Sequence, residues 1–377
     1  MSTMKIAMLT SRPFPPECGI GFYIHNLSKK LAERGHDVTI VTRGGMAMEM
    51  THFDGFKLYK LPFIMAYPFH VDIHNIFVNK FFKDHEGQFD IVHVHTPLPP
   101  SVLTETPVVT TFHSPLFYAS WANDVKDFRF AFQRFLGIYS TRLEKSLIES
   151  SNVLTTVSDS VASDLRQLYK IKDDIFVLGN GFCCDLGTGI AATAGNPDKT
   201  VIYVGTLTHR KGLLDLLDAM KILLNDEPDA NLLLIGKGPL YQTMLQRISR
   251  LRIGKNVHML GAVTHDALSS YYSAASVFVL PSYYEGLPTV ALEAMSCGLP
   301  VVGTVARGIV DLVENDRTGK LVPTKSPTEL AKSILYLLKH PDVGHKLGLE
   351  GQKLVREKYT WDKVADRTLT AYELAMD

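Results

Sequence analysis

Two acids, Glu285 and Glu293, stand with seven residues between them in the stretch Tyr283-Tyr284-Glu285-Gly286-Leu287-Pro288-Thr289-Val290-Ala291-Leu292-Glu293-Ala294-Met295. An apolar run, Val277 to Leu280, leads into it, the chain bends at Gly286, and Pro288 fits the first position of a helix, where a missing N–H costs nothing. The amides of Thr289 and Val290 then point out of the helix's positive end, which suits a phosphate. A carboxylate repels a phosphate, so the two acids suit hydroxyl donors beside it, as a sugar presents. Taken singly, each acid is also what a solvated helix terminus would carry.

A second group closes another strand in Gly205-Thr206-Leu207-Thr208-His209-Arg210-Lys211-Gly212. Cations at the mouth of a helix oppose its dipole, so Arg210 and Lys211 call for a reason. Neutralising a diphosphate leaving group is one. A third candidate is His113, which ends the strand-like Val108 to Phe112. A lone strand-end histidine is more often structural. His93 and His95 alternate on one strand and would share a face, yet no third metal ligand accompanies them and no Asp-x-Asp triplet occurs in the chain.

These residues need rigid strand ends to hold them. Lys5–Thr10, Val38–Thr42, Ile91–His95, Val108–Phe112 and Val153–Val157 read as buried parallel strands alternating with helices, the first helix running from Ile20 to Arg34. The turn-rich stretch from Asn180 to Lys199 reads as a linker. The pattern then restarts with strands at Thr200–Gly205, Asn231–Gly236, Val257–Leu260, Val277–Leu280 and Leu299–Gly303, a helix starting at Lys211, and a helical end beyond Pro323. The expectation is an α/β protein of two doubly wound halves, residues 1–180 and 181–359, with the ligand in a cleft between them at strand C-termini. A segment 360–377 is expected to return to the first half.

With 377 residues, 46% of them apolar and 21% charged, the chain fits two ordinary globular domains. Zero formal net charge gives nucleic-acid binding no electrostatic support. No apolar run reaches the roughly 20 residues of a membrane span, and Lys5 leads directly into a strand rather than a signal peptide, so a cytoplasmic protein is expected. The cysteines, Cys18, Cys183, Cys184 and Cys297, show neither metal spacing nor a disulfide framework. Aromatic segments at Phe63–Phe69 and Phe117–Phe135, the second carrying Lys126, Arg129 and Arg134, read either as buried faces or as an interfacial helix at a membrane.

Two glycine turns remain. Gly19-Ile20-Gly21 follows the first strand but has Ile24 where a dinucleotide fingerprint needs a third glycine, and the second strand ends in Arg43 rather than an acid, which disfavours an NAD enzyme. Ile235-Gly236-Lys237-Gly238-Pro239 permits a close ligand approach or is an ordinary strand-to-helix turn.

The Glu285-x7-Glu293 block with its flanking strand resembles the retaining nucleotide-sugar glycosyltransferases of family four, the group 1 domain. The resemblance extends from the first glycine turn to Glu314–Gly319. It implies a GT-B fold and a reaction moving a sugar from a nucleotide-sugar donor to a hydroxyl of a saccharide or lipid-linked acceptor, with no cofactor. By the same resemblance, Glu285 contacts the donor sugar, Glu293 the ribose, and His113 faces the sugar. Gly19 and Gly21 approach the donor phosphates, Gly236 and Gly238 lie beside the nucleotide, and Gly286, Leu287, Thr289 and Val290 border the donor. The family's Arg position after the strand glycine is Thr206 here, so Arg210, next to Lys211, is the cation left for that role. A nucleotide-sugar epimerase and a silent nucleotide-sugar-binding module are the rival readings.

Overall fold

The computed structural model describes residues 3–16, 19–66, 69–97, 101–121, 128–182 and 199–377, with the backbone alone at residues 119–121, 128–138, 265 and 266. The expectations that involve Cys18, Cys183 and Cys184, and the side chains from Trp121 to Phe135, lie outside the described residues. The chain divides into two compact units. One comprises Met1–Trp121, Val125–Gly181 and Trp361–Asp377; the other is built on Phe182–Thr360.

The first unit carries β1 (Lys5–Thr10), α1 (Gly19–Glu33), β2 (Asp37–Arg43), β3 (Glu49–Phe53), β4 (Phe56–Leu61), α2 (His70–Asp84), β5 (Ile91–His95), β6 (Val108–Phe112), α3 (Leu116–Trp121), α4 (Phe128–Glu149), β7 (Val153–Thr156), α5 (Asp159–Tyr169) and β8 (Ile175–Val177). Its sheet has the order β3-β4-β2-β1-β5-β6-β7-β8. The central strands β1, β5 and β6 are buried along their length but for Lys5 and are rich in β-branched and apolar residues, with His and Thr among them, as parallel strands covered on both faces are. Only β3 runs antiparallel, paired to β4. The sequence reading did not foresee this hairpin, because β3 is polar and exposed. Its turn, however, is Asp54-Gly55, both at positive φ, which is the two-residue turn chemistry that joins tight hairpins.

The second unit carries β9 (Thr200–Val204), a 3₁₀ turn (His209–Lys211), α6 (Leu213–Asp226), β10 (Asn231–Ile235), α7 (Tyr241–Leu251), β11 (Val257–Gly261), α8 (His265–Ala274), β12 (Val277–Leu280), α9 (Thr289–Ser296), β13 (Val301–Thr304), β14 (Gly319–Val322), α10 (Pro327–Lys339) and α11 (Pro341–Lys358). The strand expected from Leu299 begins two residues later, at Val301, because Leu299 and Pro300 are the irregular link between the turn at Cys297-Gly298 and the strand. All six strands are parallel, in the order β11-β10-β9-β12-β13-β14. Counted within the unit this is 3-2-1-4-5-6, the doubly wound dinucleotide-binding order. The last helix, α12 (Trp361–Met376), belongs to the first unit. There the Tyr372 hydroxyl lies 2.7 Å from His93 Nδ1.

Candidate active site

In the second unit the strand order reverses between β9 and β12, with β10 beyond β9 on one side and β13 beyond β12 on the other. That is where an open α/β sheet leaves a crevice at its carboxyl ends. The loops bordering it, 205–212 after β9 and 281–288 after β12, hold the chemistry-bearing residues read from sequence.

The loops are tied backbone to backbone. Tyr283 N–H donates to the Arg210 carbonyl at 2.8 Å. Gly212 has φ +65°, and a Cβ there would lie 2.0 Å from the Pro281 carbonyl oxygen. Only glycine satisfies both the left-handed backbone and that approach. Lys211 therefore sits in a 3₁₀ turn, and the helix expected from Lys211 begins at Leu213 instead.

The turn delivers both cations to Glu285. Lys211 Nζ lies 2.6 Å from Glu285 Oε1, and Arg210 Nη1 lies 3.2 Å from Oε2 while also donating to the Tyr284 carbonyl. Ser282 Oγ donates to the same Oε1 at 2.6 Å. Glu285 is 5% exposed, Lys211 9% and Ser282 0%, so the cluster is a buried ion pair rather than the solvated acid of the bland alternative. Burial pushes the Glu285 pKa up, but Lys211, Arg210 and the Ser282 hydroxyl together outweigh it and hold the carboxyl below its ordinary value. For Lys211, burial and the Arg210 charge lower the pKa more than Glu285 raises it. With all three ionised, two cations face one anion and the cluster carries one net positive charge.

Helix α9 supplies more positive potential. Pro288 was expected at its first helical position; it occupies the N-cap instead, with extended backbone, and its carbonyl accepts from Ala291 N–H at 3.1 Å. A proline has no N–H to give at either place, so the start shifts by one residue without penalty. Thr289 and Val290 are the first helical residues, and no acceptor among the described residues takes their amides. Glu293, one turn on, is half-buried and accepts from Tyr272 Oη at 3.1 Å. Gly286 is half-buried and Leu287 buried; a Cβ on Gly308 would lie 2.4 Å from the Gly286 carbonyl, so Gly308, at φ +78°, fixes this bend from below.

Gly236 and Gly238 have an internal reason to be glycine. A Cβ on Gly236 would lie 1.9 Å from the Gly205 carbonyl, and one on Gly238 2.4 Å from the Leu207 carbonyl. They let the β10 loop pack on the β9 loop. Thr206 is exposed, and its carbonyl accepts from Tyr203 Oη at 3.1 Å.

His113, Gly19 and Gly21 belong to the first unit. His113 is buried, with Nε2 3.3 Å from His95 Nδ1 and its ring edge-on to Tyr23 at 4.8 Å. Burial, aided by Arg12, lowers its pKa to about 3. His93 likewise falls to about 3 through burial, and it bridges Tyr372 and Thr111 Oγ1, each at 2.7 Å. Gly19 and Gly21 open α1, and a Cβ on Gly21 would press on Pro16 at 3.2 Å, while one on Gly19 meets nothing.

The structure thus joins Arg210, Lys211 and Glu285 directly and sets Glu293, Thr289 and Val290 on the adjoining helix. Sequence reasoning missed Ser282 and Tyr272. Ser282 carries a local signal, a hydroxyl three residues before the acid; Tyr272 lies on another helix, α8, and carries none.

Comparison with known proteins identifies the family and the fold. The family model "Glycosyl transferases group 1" matches residues 191–354, and "Glycosyltransferase Family 4" matches 18–186. An uncharacterized glycosyltransferase of Methanocaldococcus jannaschii, MJ1607, is 28% identical over 99% of both chains. The N-acetyl-alpha-D-glucosaminyl L-malate synthase of Bacillus anthracis is 26% identical over 95% of this chain and 94% of its own. Among solved structures, the sucrose-phosphate synthase of Thermosynechococcus elongatus superposes with a TM-score of 0.81 at 23% identity over 98% of each chain. HepE of Anabaena, solved with UDP and glucose, gives 0.75 at 17% identity, covering 97% of this chain and 98% of its own. The fold is GT-B, and the chain belongs to the group 1 glycosyltransferases of family four.

Proposed function

We propose that the protein is a retaining, metal-independent hexosyltransferase that carries a sugar from a nucleotide-sugar donor to a hydroxyl of a saccharide or lipid-linked acceptor. The observation that carries this reading is the buried Lys211–Glu285 pair with half-buried Arg210 at the strand-order reversal, beside the open amides of α9. Its net positive charge and the helix terminus suit a diphosphate. Glu285 then takes sugar hydroxyls and Glu293 the ribose hydroxyls. That HepE, of like fold, was solved with UDP and glucose supports a nucleotide-sugar donor.

In the step so framed, the bond from the anomeric carbon to the diphosphate oxygen breaks as the acceptor hydroxyl bonds to the same face of the sugar. The leaving oxygen takes the acceptor's proton, and Lys211, Arg210 and the amides of Thr289 and Val290 stabilise the charge left on the phosphate. His113, uncharged at neutral pH, serves as a hydrogen-bonding neighbour of the sugar rather than a proton donor.

A membrane-borne acceptor has support in the first unit. Phe69, Ile76, Lys80 and Lys83 fall on one outward face of α2 and the residue before it, all exposed, with exposed Met65 just upstream. Apolar and basic residues on one face suit an anionic lipid surface. Among the described residues no helix is long and apolar enough to cross a membrane, so such contact would be peripheral.

The test is an incubation with UDP-, GDP- and ADP-sugars and saccharide or lipid-linked acceptors, with the product's anomeric configuration read by NMR. Transfer with the donor's configuration kept, undiminished by exhaustive chelation, is expected. Inverted product, or activity lost to chelator and restored by magnesium or manganese, would overturn the retaining or the metal-independent part respectively. Release of an epimerised free sugar with no transfer would favour the epimerase.

A further inference from the structure

Glu285 is too firmly held to be only a hydroxyl acceptor. Its backbone N–H donates to the Arg307 carbonyl at 3.1 Å, and Gly308 packs against its carbonyl, where a Cβ would lie 2.5 Å away. Its side chain is pinned by Ser282 Oγ, and the Ser282 carbonyl in turn accepts from Thr304 Oγ1 at 2.5 Å. A fixed, buried anion therefore stands between two cations borne on long side chains. A diphosphate drawn to Lys211 and Arg210 must share them with a carboxylate already 2.6 and 3.2 Å away. Like charges so placed repel, and burial limits the screening.

We propose that Glu285 has a second task in the cycle: it limits the site's hold on the nucleoside diphosphate, so that this product leaves once the sugar has been transferred. This rests on the reading of the cluster as a diphosphate site given above. While the donor is whole, its sugar hydroxyls donate to the carboxylate and offset the repulsion between it and the phosphates. Transfer removes those hydroxyls, and once the proton taken from the acceptor passes to water the terminal phosphate carries added negative charge. The carboxylate then reclaims Lys211 and Arg210, and the diphosphate is displaced.

The consequence runs opposite to that of losing a donor-binding group. Glu285→Gln keeps the side chain's shape and removes its charge, so transfer falls while the product is held more tightly. The experiment titrates UDP, GDP and ADP into the parent and into Glu285→Gln by calorimetry and follows dissociation by stopped flow. The diphosphate that the parent binds is expected to bind the variant at least about threefold more tightly, the scale of one partly screened charge. It should dissociate more slowly, with the difference shrinking as salt rises and Glu285→Asp behaving like the parent.

Equal or weaker binding by Glu285→Gln overturns the proposal. Should that variant fail to fold, Lys211→Met is compared with Lys211→Met plus Glu285→Gln, since removing both partners of a buried pair costs far less than removing one. The double variant must then bind the diphosphate more tightly than the single one. A parent that binds none of the three diphosphates overturns the diphosphate reading itself, an outcome distinct from equal binding by parent and variant.

Discussion

Single side chains carry the sharpest consequences. Removing Lys211 takes away one charge-stabilising group, and Lys211→Ala is expected to lower turnover by at least ~100-fold. Because Glu285 also loses a buried partner at 2.6 Å, the variant should be destabilised by up to about 3–5 kcal/mol, the range for breaking a buried pair from one side. Chemical denaturation together with steady-state assays on the folded fraction checks both; near-normal turnover in folded protein would remove Lys211 from the chemistry. The imidazoles of the first unit set a pH dependence. Burial holds His93 and His113 at about 3 in the folded state, against roughly 6.5 for an unperturbed imidazole. Above that unperturbed value both states are uncharged and nothing changes; below it the unfolded chain takes up protons that the folded chain refuses. Stability should therefore fall as pH drops from about 6.5 toward 3. A denaturation midpoint series over that window tests this, and His93→Gln should flatten the slope.

Elements explain what the sequence could and could not reveal. The doubly wound strands were legible because their runs, such as Val277–Leu280, are apolar without interruption, and the Glu-x7-Glu block follows one of them directly. The ion pair was not legible, because Lys211 and Glu285 lie on different loops that meet only where β9 and β12 pair. Its partners were named, but each was assigned to a separate ligand group. The β3–β4 hairpin escaped because its exposed strand is polar, although Asp54-Gly55 announced the turn. Gly236 and Gly238 read equally as ligand-facing or internal, and only the close Gly205 and Leu207 backbones supply the internal reason. Gly212 makes the loop pairing testable. With φ +65° and the Pro281 carbonyl in the way, Gly212→Ala should cost about 2 kcal/mol or more and lower the thermal midpoint by several degrees. Turnover should fall with it, since Lys211 precedes the hinge of that turn. A variant with an unchanged midpoint would show that the loops can separate without loss.

On the scale of the whole molecule, two units of like architecture divide the candidate residues: the charged cluster and α9 in the second, His113 and the glycine turn of α1 in the first. The parent is expected to co-sediment with anionic liposomes at low salt, and Lys80→Glu plus Lys83→Glu to remain in the supernatant; a parent that stays in solution would favour a soluble acceptor. The central claim, that Arg210, Lys211 and Glu285 form the seat of a nucleotide-sugar's diphosphate, is tested most directly by equilibrium binding. UDP-, GDP- and ADP-sugars are titrated into the parent and into Arg210→Ala plus Lys211→Ala, with folding of the variant verified by circular dichroism. The account predicts that at least one donor binds the parent and that the double variant loses at least ~100-fold in affinity, the scale of two charge-assisted phosphate contacts. A donor bound equally well by both proteins would contradict it.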